Sequence, residues 1–147
     1  MTSNYLLFRL GEQLFGVRMQ GAIEILPWRR SRPVPQSYTY VEGILDYRGT
    51  IYPVFYLSQL LGMPKQGTIG FTAPEAAPLK GKSIILLQES DRPFGISVDS
   101  VVKMAQFEDP AGAMPDKGVN ANFVKGVQYD ENQEIILLSF ERLFHAG

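Results

Sequence analysis

The segment VEGILDYRGTIYPVFYL, residues 41–57, decides the fold, because an Arg-Gly pair separates two apolar runs within it. Both runs are short and rich in β-branched and aromatic residues, which is typical of strands. Gly49 can adopt the positive φ angle that a tight hairpin turn requires. We therefore predict a β-hairpin whose turn contains Arg48 and Gly49. Arg48 either solvates this turn or has a function of its own.

Similar short runs occupy most of the remaining chain. Among them are YLLFRL, LFGVR, SIILLQ, FGISV and EIILLSF, each bounded by Gly, Pro, Asn or Asp. Strands that recur with a turn signal about every ten residues indicate β-barrels or a sandwich. Helical patterns are confined to SQLLG and FERLF. A chain of 147 residues is long enough for one such domain. We predict a single mainly β domain, residues 1–147, with one or two short helices.

The two halves of the chain resemble each other. Residues 6–26 align with residues 84–105 in pattern, and Phe15-Gly16-Val17 falls on Phe94-Gly95-Ile96. Residues 41–61 align with residues 124–144, and Gly43 falls on Gly126. We interpret residues 5–61 and 83–144 as an internal repeat, separated by a linker at residues 62–82. Two similar lobes of about five strands each should pack together, because neither could bury much apolar surface alone.

Composition excludes several classes of function. The chain has no cysteine and a single histidine, His145, so thiolate sites are absent and a catalytic triad or zinc site is disfavoured. No phosphate-binding glycine loop and no carboxylate pair with mechanistic spacing is present. A net charge of -1 gives no case for nucleic acid. No signal peptide and no membrane-spanning run is found. We predict a cytoplasmic protein that is not an enzyme and has no cofactor or metal.

The repeat also shows which positions differ between the halves. Arg48 falls on Glu131, so the hairpin does not demand an arginine. Glu24 falls on Lys103, although a lone charge on a strand usually just faces water. Pro53 lies within an apolar run and lacks the N–H of a ladder, which predicts an edge strand or a bulge.

The most specific motifs are G-[IV]-x-[ND]-x-R-G-x-[IV]-x-P-V at residues 43–54 and G-x-x-V-D-x-V at residues 95–101. With FRLGEQLFGV, AIEIL and EIILLSFERLF, they make the whole chain resemble the CheW-like family, the chemotaxis coupling proteins of bacteria and archaea. The resemblance implies two packed five-stranded SH3-like β-barrels with a core between them.

The resemblance also implies a function. Proteins of this family are non-enzymatic adaptors that link methyl-accepting chemoreceptors to a CheA-type histidine kinase. One barrel would bind the regulatory domain of the kinase, which is itself CheW-like, and the groove between the barrels would hold the helical cytoplasmic tip of the receptor. The chain would then associate with membrane receptor arrays through its partners, without direct membrane insertion and without nucleic acid.

The resemblance assigns residues to this binding role. The V-x-E segment of the family falls on residues 22–24, and the arginine of the signature is Arg48. Three valines join the set by weaker analogy, and simple core packing is an equal alternative for them. The predicted receptor- and kinase-binding residues are Ala22, Glu24, Gly43, Arg48, Val98, Val101 and Val102.

The chain departs from the family pattern in two places. Phe55-Tyr56-Leu57 replaces the usual V-D-L, and Tyr47 stands where chemotaxis members commonly have leucine. These differences favour an array other than the main flagellar pathway. The alternative function is a ligand-binding or regulatory β-barrel domain, including the regulatory domain of the kinase itself. The start at Met1 and the short tail favour a stand-alone chain.

Overall fold

The computed structural model describes residues 2–34, 38–63, 82–108 and 119–143. The described chain forms ten strands and one short helix, with 3₁₀ turns at Met19–Gly21 and Ala121–Phe123. In chain order the elements are β1 (Thr2–Leu10), β2 (Gln13–Arg18), β3 (Ala22–Pro27), β4 (Val41–Tyr47), β5 (Thr50–Tyr56), α1 (Leu57–Leu60), β6 (Ser83–Glu89), β7 (Arg92–Val98), β8 (Ser100–Glu108), β9 (Val124–Asp130) and β10 (Gln133–Leu138).

The strands form two five-stranded sheets, which confirms the predicted fold class. The first sheet has the order β8-β1-β2-β10-β9, and the second has the order β3-β6-β7-β5-β4. Each sheet therefore combines strands from both halves of the chain, an exchange that the pattern of the repeat did not reveal. In the repeat, β1–β5 correspond in order to β6–β10. Exchanging each strand for its counterpart converts the strand order of the first sheet into that of the second. We therefore propose that residues 5–61 and 83–144 are two copies of one structural unit.

Three apolar cores explain why the strands read as continuous apolar runs. In β1, Tyr5 and Leu7 belong to a core enclosed by the first sheet, whereas Leu6 and Phe8 belong to a larger core between the sheets. In β6, Ile84 and Leu86 lie in a core enclosed by the second sheet. Successive side chains of a strand point to opposite faces, so a strand with an apolar core on each side is apolar at every position.

The sequence predicted an edge strand or a bulge at Pro53, and the edge alternative was wrong. The register of β4 and β5 does shift between Val41 and Gly43, one residue from the Ile44–Pro53 pair. Strand β5 lies inside the second sheet, between β7 and β4. Pro53 pairs with Ile44, but the N–H and C=O of Ile44 bond to Arg32 instead. The parallel pairing of β5 with β7 begins only at Val54. Proline is tolerated here because Ile44 bonds to Arg32 and not to Pro53, so the missing N–H of Pro53 leaves no hydrogen bond of the ladder unmade.

One of the two short helices is present close to the predicted place, because α1 (Leu57–Leu60) overlaps the SQLLG segment. Glu141, Arg142 and Leu143 of the FERLF segment form a turn instead, with the N–H of Leu143 bonded to the C=O of Phe140. Most of the predicted linker at residues 62–82 falls outside the described residues.

Candidate functional site

The turn between β4 and β5 places two adjacent residues in the left-handed region. Arg48 has a φ angle of 52° and Gly49 one of 81°. The corresponding turn between β9 and β10 has Glu131 at 51° and Asn132 at 66°. The backbone of both turns is therefore nearly the same with an arginine or a glutamate at the first position. This agreement supports the interpretation that hairpin geometry does not demand an arginine.

Tyr47 connects this hairpin to the opposite edge of the same sheet. Its hydroxyl donates a hydrogen bond of 2.6 Å to Oε2 of Glu24 on β3. Strands β3 and β4 are the two edges of the second sheet, so this bond shows that the sheet curls round until its edges meet. The bond to Glu24, followed by burial, raises the pKa of Tyr47, because ionising the phenol would place two negative charges side by side.

The first sheet closes in the same way at the equivalent positions. Nζ of Lys103 on β8 lies 2.8 Å from Oδ2 of Asp130 on β9. The side chain of Gln128 also donates a 2.9 Å bond to the carbonyl of Glu108 across the same edges. The bond to Asp130 raises the pKa of Lys103. Lys103 is the repeat partner of Glu24, and Asp130 is the repeat partner of Tyr47, so each barrel is closed by its own polar pair.

Two arginines lie against the Tyr47 ring. Cζ of Arg48 is 5.1 Å from the ring centroid, and Cζ of Arg29 is 5.7 Å from it. Both distances are within the range of a cation–π contact. Arg29 follows β3 and Arg48 follows β4, so the ring gathers side chains from both edges of the sheet. We call Glu24, Arg29, Tyr47 and Arg48 the Tyr47 cluster.

Gly43 has a structural reason to be glycine. A Cβ atom there would lie 2.6 Å from Oγ of Ser31, and closer still to the backbone of Arg32. This close approach lets the chain at Arg32 pair with Ile44 as an isolated bridge. Gly43 is buried, so its predicted role in partner binding can only be indirect.

Glu42, beside Gly43, is a half-buried carboxylate. The hydroxyl of Ser97 on β7 donates a 2.5 Å hydrogen bond to its Oε1. Burial raises the pKa of Glu42, and the neighbouring Ser97, Trp28 and Lys82 offset only part of this effect. Glu42 therefore joins β4 to β7 at the cost of placing a charge in a poorly solvated position.

The three predicted valines differ in how much of the side chain is exposed to solvent. Val98 is only 1% exposed and packs in the core between the sheets, so the core-packing alternative describes it and it does not line an open groove. Val101 packs partly against the same core, and Val102 is 42% exposed on β8. Of these three, Val102 is the one with a side chain well placed for a partner.

Ala22 lines a cleft between the two sheets. The cleft has a volume of about 580 Å³ and receives Arg18 from β2, Ile23 from β3, the β6–β7 turn around Asp91, and Lys125 from β9. Ala22 was predicted to bind the receptor or the kinase, and this cleft is where the structure places its side chain. Glu24 follows the cleft residue Ile23 in the chain, but its side chain bonds to Tyr47 instead.

Both β3 and β8 present an apolar pair to solvent. Ile23 and Ile25 flank Glu24 on one edge strand, and Val102 and Met104 flank Lys103 on the other. The two pairs are equivalent in the repeat.

Within residues 2–34, 38–63, 82–108 and 119–143, no group of three or more acidic or histidine side chains could hold a metal ion. The described part of the chain also contains no helix of the length and apolarity needed to cross a bilayer.

A model of the CheW-like domain matches residues 4–147. The chain belongs to the CheW-like domain family. The match covers both sheets and the segments between them, so the family relationship concerns the whole fold. This confirms the family that the motifs at residues 43–54 and 95–101 indicated.

Relatives of this CheW-like chain are similar over nearly all its length. The chemotaxis protein CheW of Treponema pallidum is 26% identical over 95% of this chain and 80% of its own. The chemotaxis protein CheW of Rhizobium meliloti is 29% identical over 93% of this chain and 84% of its own. The crystal structure of the scaffolding protein TtCheW from Thermoanaerobacter tengcongensis superposes with a TM-score of 0.82. That superposition covers 98% of this chain and 88% of the other at 24% identity, and it shows the shared fold.

The sequence predicted Glu24 and Arg48 separately but not the residues that bring them together. Tyr47 is a departure from the family pattern, and Arg29 is not among the predicted site residues. The repeat could have pointed to Tyr47, because Glu24 and Tyr47 align with Lys103 and Asp130, a pair of opposite charge.

Proposed function

We propose that this chain is a non-enzymatic adaptor that couples methyl-accepting chemoreceptors to a CheA-type histidine kinase in a chemosensory array. The observation that carries the proposal is the match of the CheW-like domain to residues 4–147, together with relatives described as chemotaxis proteins that align over more than nine-tenths of the chain.

The two-barrel architecture supports this role physically. An adaptor needs separate surfaces that can be occupied together, and the exchange of strands fixes the two barrels through one shared core. The Tyr47 cluster lies on one barrel, while Val102 and Met104 are exposed on the other. Weak contacts at two such surfaces combine by multivalency within an array, so neither contact needs high affinity alone. The signal would pass through changes in contact geometry, without chemistry on the adaptor.

The filled barrels favour an adaptor over a ligand-binding barrel. Leu26, Leu45 and Tyr52 are among the side chains that fill the interior of the second barrel. Tyr5, Leu14 and Leu137 contribute to the interior of the first. Barrels that hold a small ligand keep their interior open for it, whereas small barrels packed with side chains act through their outer surfaces.

Co-purification from a lysate of the source organism tests the proposal directly. With the full chain as bait, we expect to recover a CheA-type kinase and a methyl-accepting receptor, with less receptor for Arg48→Ala. The Glu131→Ala variant is the matched control, because Glu131 occupies the same turn position in the other barrel. Recovery of neither partner, with a small molecule bound instead, would replace the adaptor with the ligand-binding domain.

The particular array is a further part of the proposal. Tyr47 and the Phe55-Tyr56-Leu57 segment depart from the chemotaxis pattern and favour an array other than the flagellar one. Identifying the co-purified kinase and scoring flagellar chemotaxis after deletion of the gene would test this. Loss of flagellar chemotaxis on deletion would contradict it. If the adaptor role holds, a fluorescent fusion should locate to receptor arrays at the cytoplasmic side of the membrane.

A further inference from the structure

The Tyr47 cluster holds two positive side chains against one aromatic ring. The guanidinium groups of Arg29 and Arg48 both lie within cation–π range of Tyr47. Among the described residues, neither arginine forms an ion pair with a carboxylate. Both are exposed, so their outward N–H groups remain available to a partner.

Two like charges on one ring repel each other, and the acid that contacts the Tyr47 hydroxyl is already engaged. Glu24 Oε2 accepts the bond from the Tyr47 hydroxyl. With one glutamate and two arginines, the cluster keeps a net positive charge. A guanidinium that stacks on a ring retains its planar fork of donors, and this fork matches a carboxylate in bidentate geometry. An acidic group from outside would relieve the repulsion and use both forks.

We propose that Tyr47 is a positioning residue that assembles Arg29 and Arg48 into one cationic site for a carboxylate of a protein partner, and that its hydrogen bond to Glu24 fixes the ring for this purpose. The proposal rests on the adaptor function proposed above. It adds Arg29, which lies outside the family motifs, as a second cationic contact. It also changes the role of Glu24, which acts through Tyr47.

The other barrel shows that barrel closure alone does not require this arrangement. There the same positions carry Lys103 and Asp130, which form a direct ion pair. The turn residue equivalent to Arg48 is Glu131. Tyr47, the counterpart of Asp130, also joins the edge strands of its barrel, and its ring in addition gives cations a surface on which to stack. Tyr47 therefore both closes the barrel and holds positive charge at its surface.

Binding measurements on the full chain test the proposal. The probes are the purified CheW-like regulatory domain of the organism's CheA-type kinase and a cytoplasmic fragment of its methyl-accepting receptor. The variants are Tyr47→Leu, Arg29→Ala with Arg48→Ala, and all three changes together. Asp130→Asn serves as the matched control, since it removes the seam contact of the other barrel. Circular dichroism and thermal melting establish that each variant is folded.

We expect Tyr47→Leu to raise the Kd for one probe roughly tenfold, the loss of a single well-placed interface contact. In the double arginine variant, Tyr47→Leu should add less than about twofold, because its effect passes through the arginines. The wild-type Kd should rise with salt more steeply than that of the double arginine variant. Asp130→Asn should leave unchanged the Kd that Tyr47→Leu raises.

Several results would overturn the proposal. If Tyr47→Leu weakens binding equally with and without the arginines, Tyr47 contacts the partner itself or supports the fold in general. If the wild-type protein binds a probe and no variant changes the Kd, the positioning role fails while the adaptor function stands. If the wild-type protein binds neither probe, the adaptor function fails and the proposal falls with it.

A measurement without partners checks the arrangement in the protein alone. The pKa of Tyr47 can be followed by NMR through the ring carbon that bears the hydroxyl. Glu24→Gln should lower this pKa, because the bond to Glu24 is the main cause that raises it. Arg48→Ala should raise it, because the nearby positive charge favours the phenolate. Unchanged values in both variants would show that the three side chains do not interact, and the positioning role would fail.

Discussion

The Tyr47 hydroxyl bonds to Glu24 at 2.6 Å across the two edges of one barrel. Lys103 and Asp130, their repeat partners, meet at 2.8 Å across the edges of the other. Each barrel is therefore closed by a polar contact between its two edge strands. In both, one edge strand follows a 3₁₀ turn or a bend, and the other ends in a hairpin turn. Of these two contacts, the one at Tyr47 has arginines beside it.

Arg48→Ala should separate binding from folding. Alanine at a φ angle of 52° meets the same backbone restriction as arginine, so the free energy of unfolding should change little. Binding to the kinase or receptor should weaken by about 1–3 kcal/mol if Arg48 is a central contact. Urea denaturation and isothermal titration measure the two quantities. A large loss of stability with unchanged binding would contradict this prediction, and Glu131→Ala should alter neither.

Glu42→Gln should remove a dependence of stability on pH. Because the pKa of Glu42 is raised in the folded state, its protonated form is favoured by folding. The free energy of unfolding should therefore fall as the pH rises from about 4.5 through the folded pKa, as linkage requires. Glutamine resembles the protonated acid and should flatten this part of the profile, leaving the variant no less stable at neutral pH.

Denaturation at a series of pH values measures the Glu42 effect. Glu12→Gln, at an exposed turn, is the control and should keep the wild-type profile. A Glu42→Gln variant that retains the wild-type slope would show that Glu42 is not its source.

Gly43→Ala should destabilise the second barrel. The added methyl group would clash with Ser31 and with the backbone of Arg32, which has no flexible end to move aside. We expect a loss of about 1–3 kcal/mol in the free energy of unfolding, as for overpacking elsewhere. Gly49→Asn is the control, since nothing lies within 4 Å there and Asn132 adopts a similar φ in the other turn. Equal stability of Gly43→Ala and the control would refute the steric argument.

Phe94→Ala should weaken the joint between the barrels. Its ring lies 5.3 Å from the Phe140 ring and 6.2 Å from the Phe55 ring, both in edge-on geometry. Truncation of a buried phenylalanine costs about 3–5 kcal/mol. Ile51→Ala, at a side chain that is 52% exposed, should cost less than about 0.5 kcal/mol. Thermal unfolding measures both, and a Phe94→Ala variant as stable as Ile51→Ala would contradict the inter-barrel core.

Sequence pattern predicted the elements and the family but only part of the site. The hairpin at Arg48 and Gly49 and the helix after Tyr56 were found, because turn chemistry and apolar period are local properties. The sequence left a groove position and core packing open for Val98, because periodicity does not distinguish a core between sheets from an exposed groove. The structure buries Val98 in the core. The edge position of Pro53 was wrong because it depends on strand neighbours that are distant in sequence.

The amino-acid sequence by itself determined the mainly β content and the membership of the CheW-like family, and it predicted which positions of the two halves correspond. Composition and the alternation of apolar residues are local properties of the chain, so they can be read from the sequence without knowing which residues are in contact. The tertiary structure alone decided that the halves exchange strands and that Tyr47 joins Glu24 to two arginines. These features depend on which edges meet when a sheet curls, and closure brings together residues 23 positions apart through contacts that no local pattern encodes.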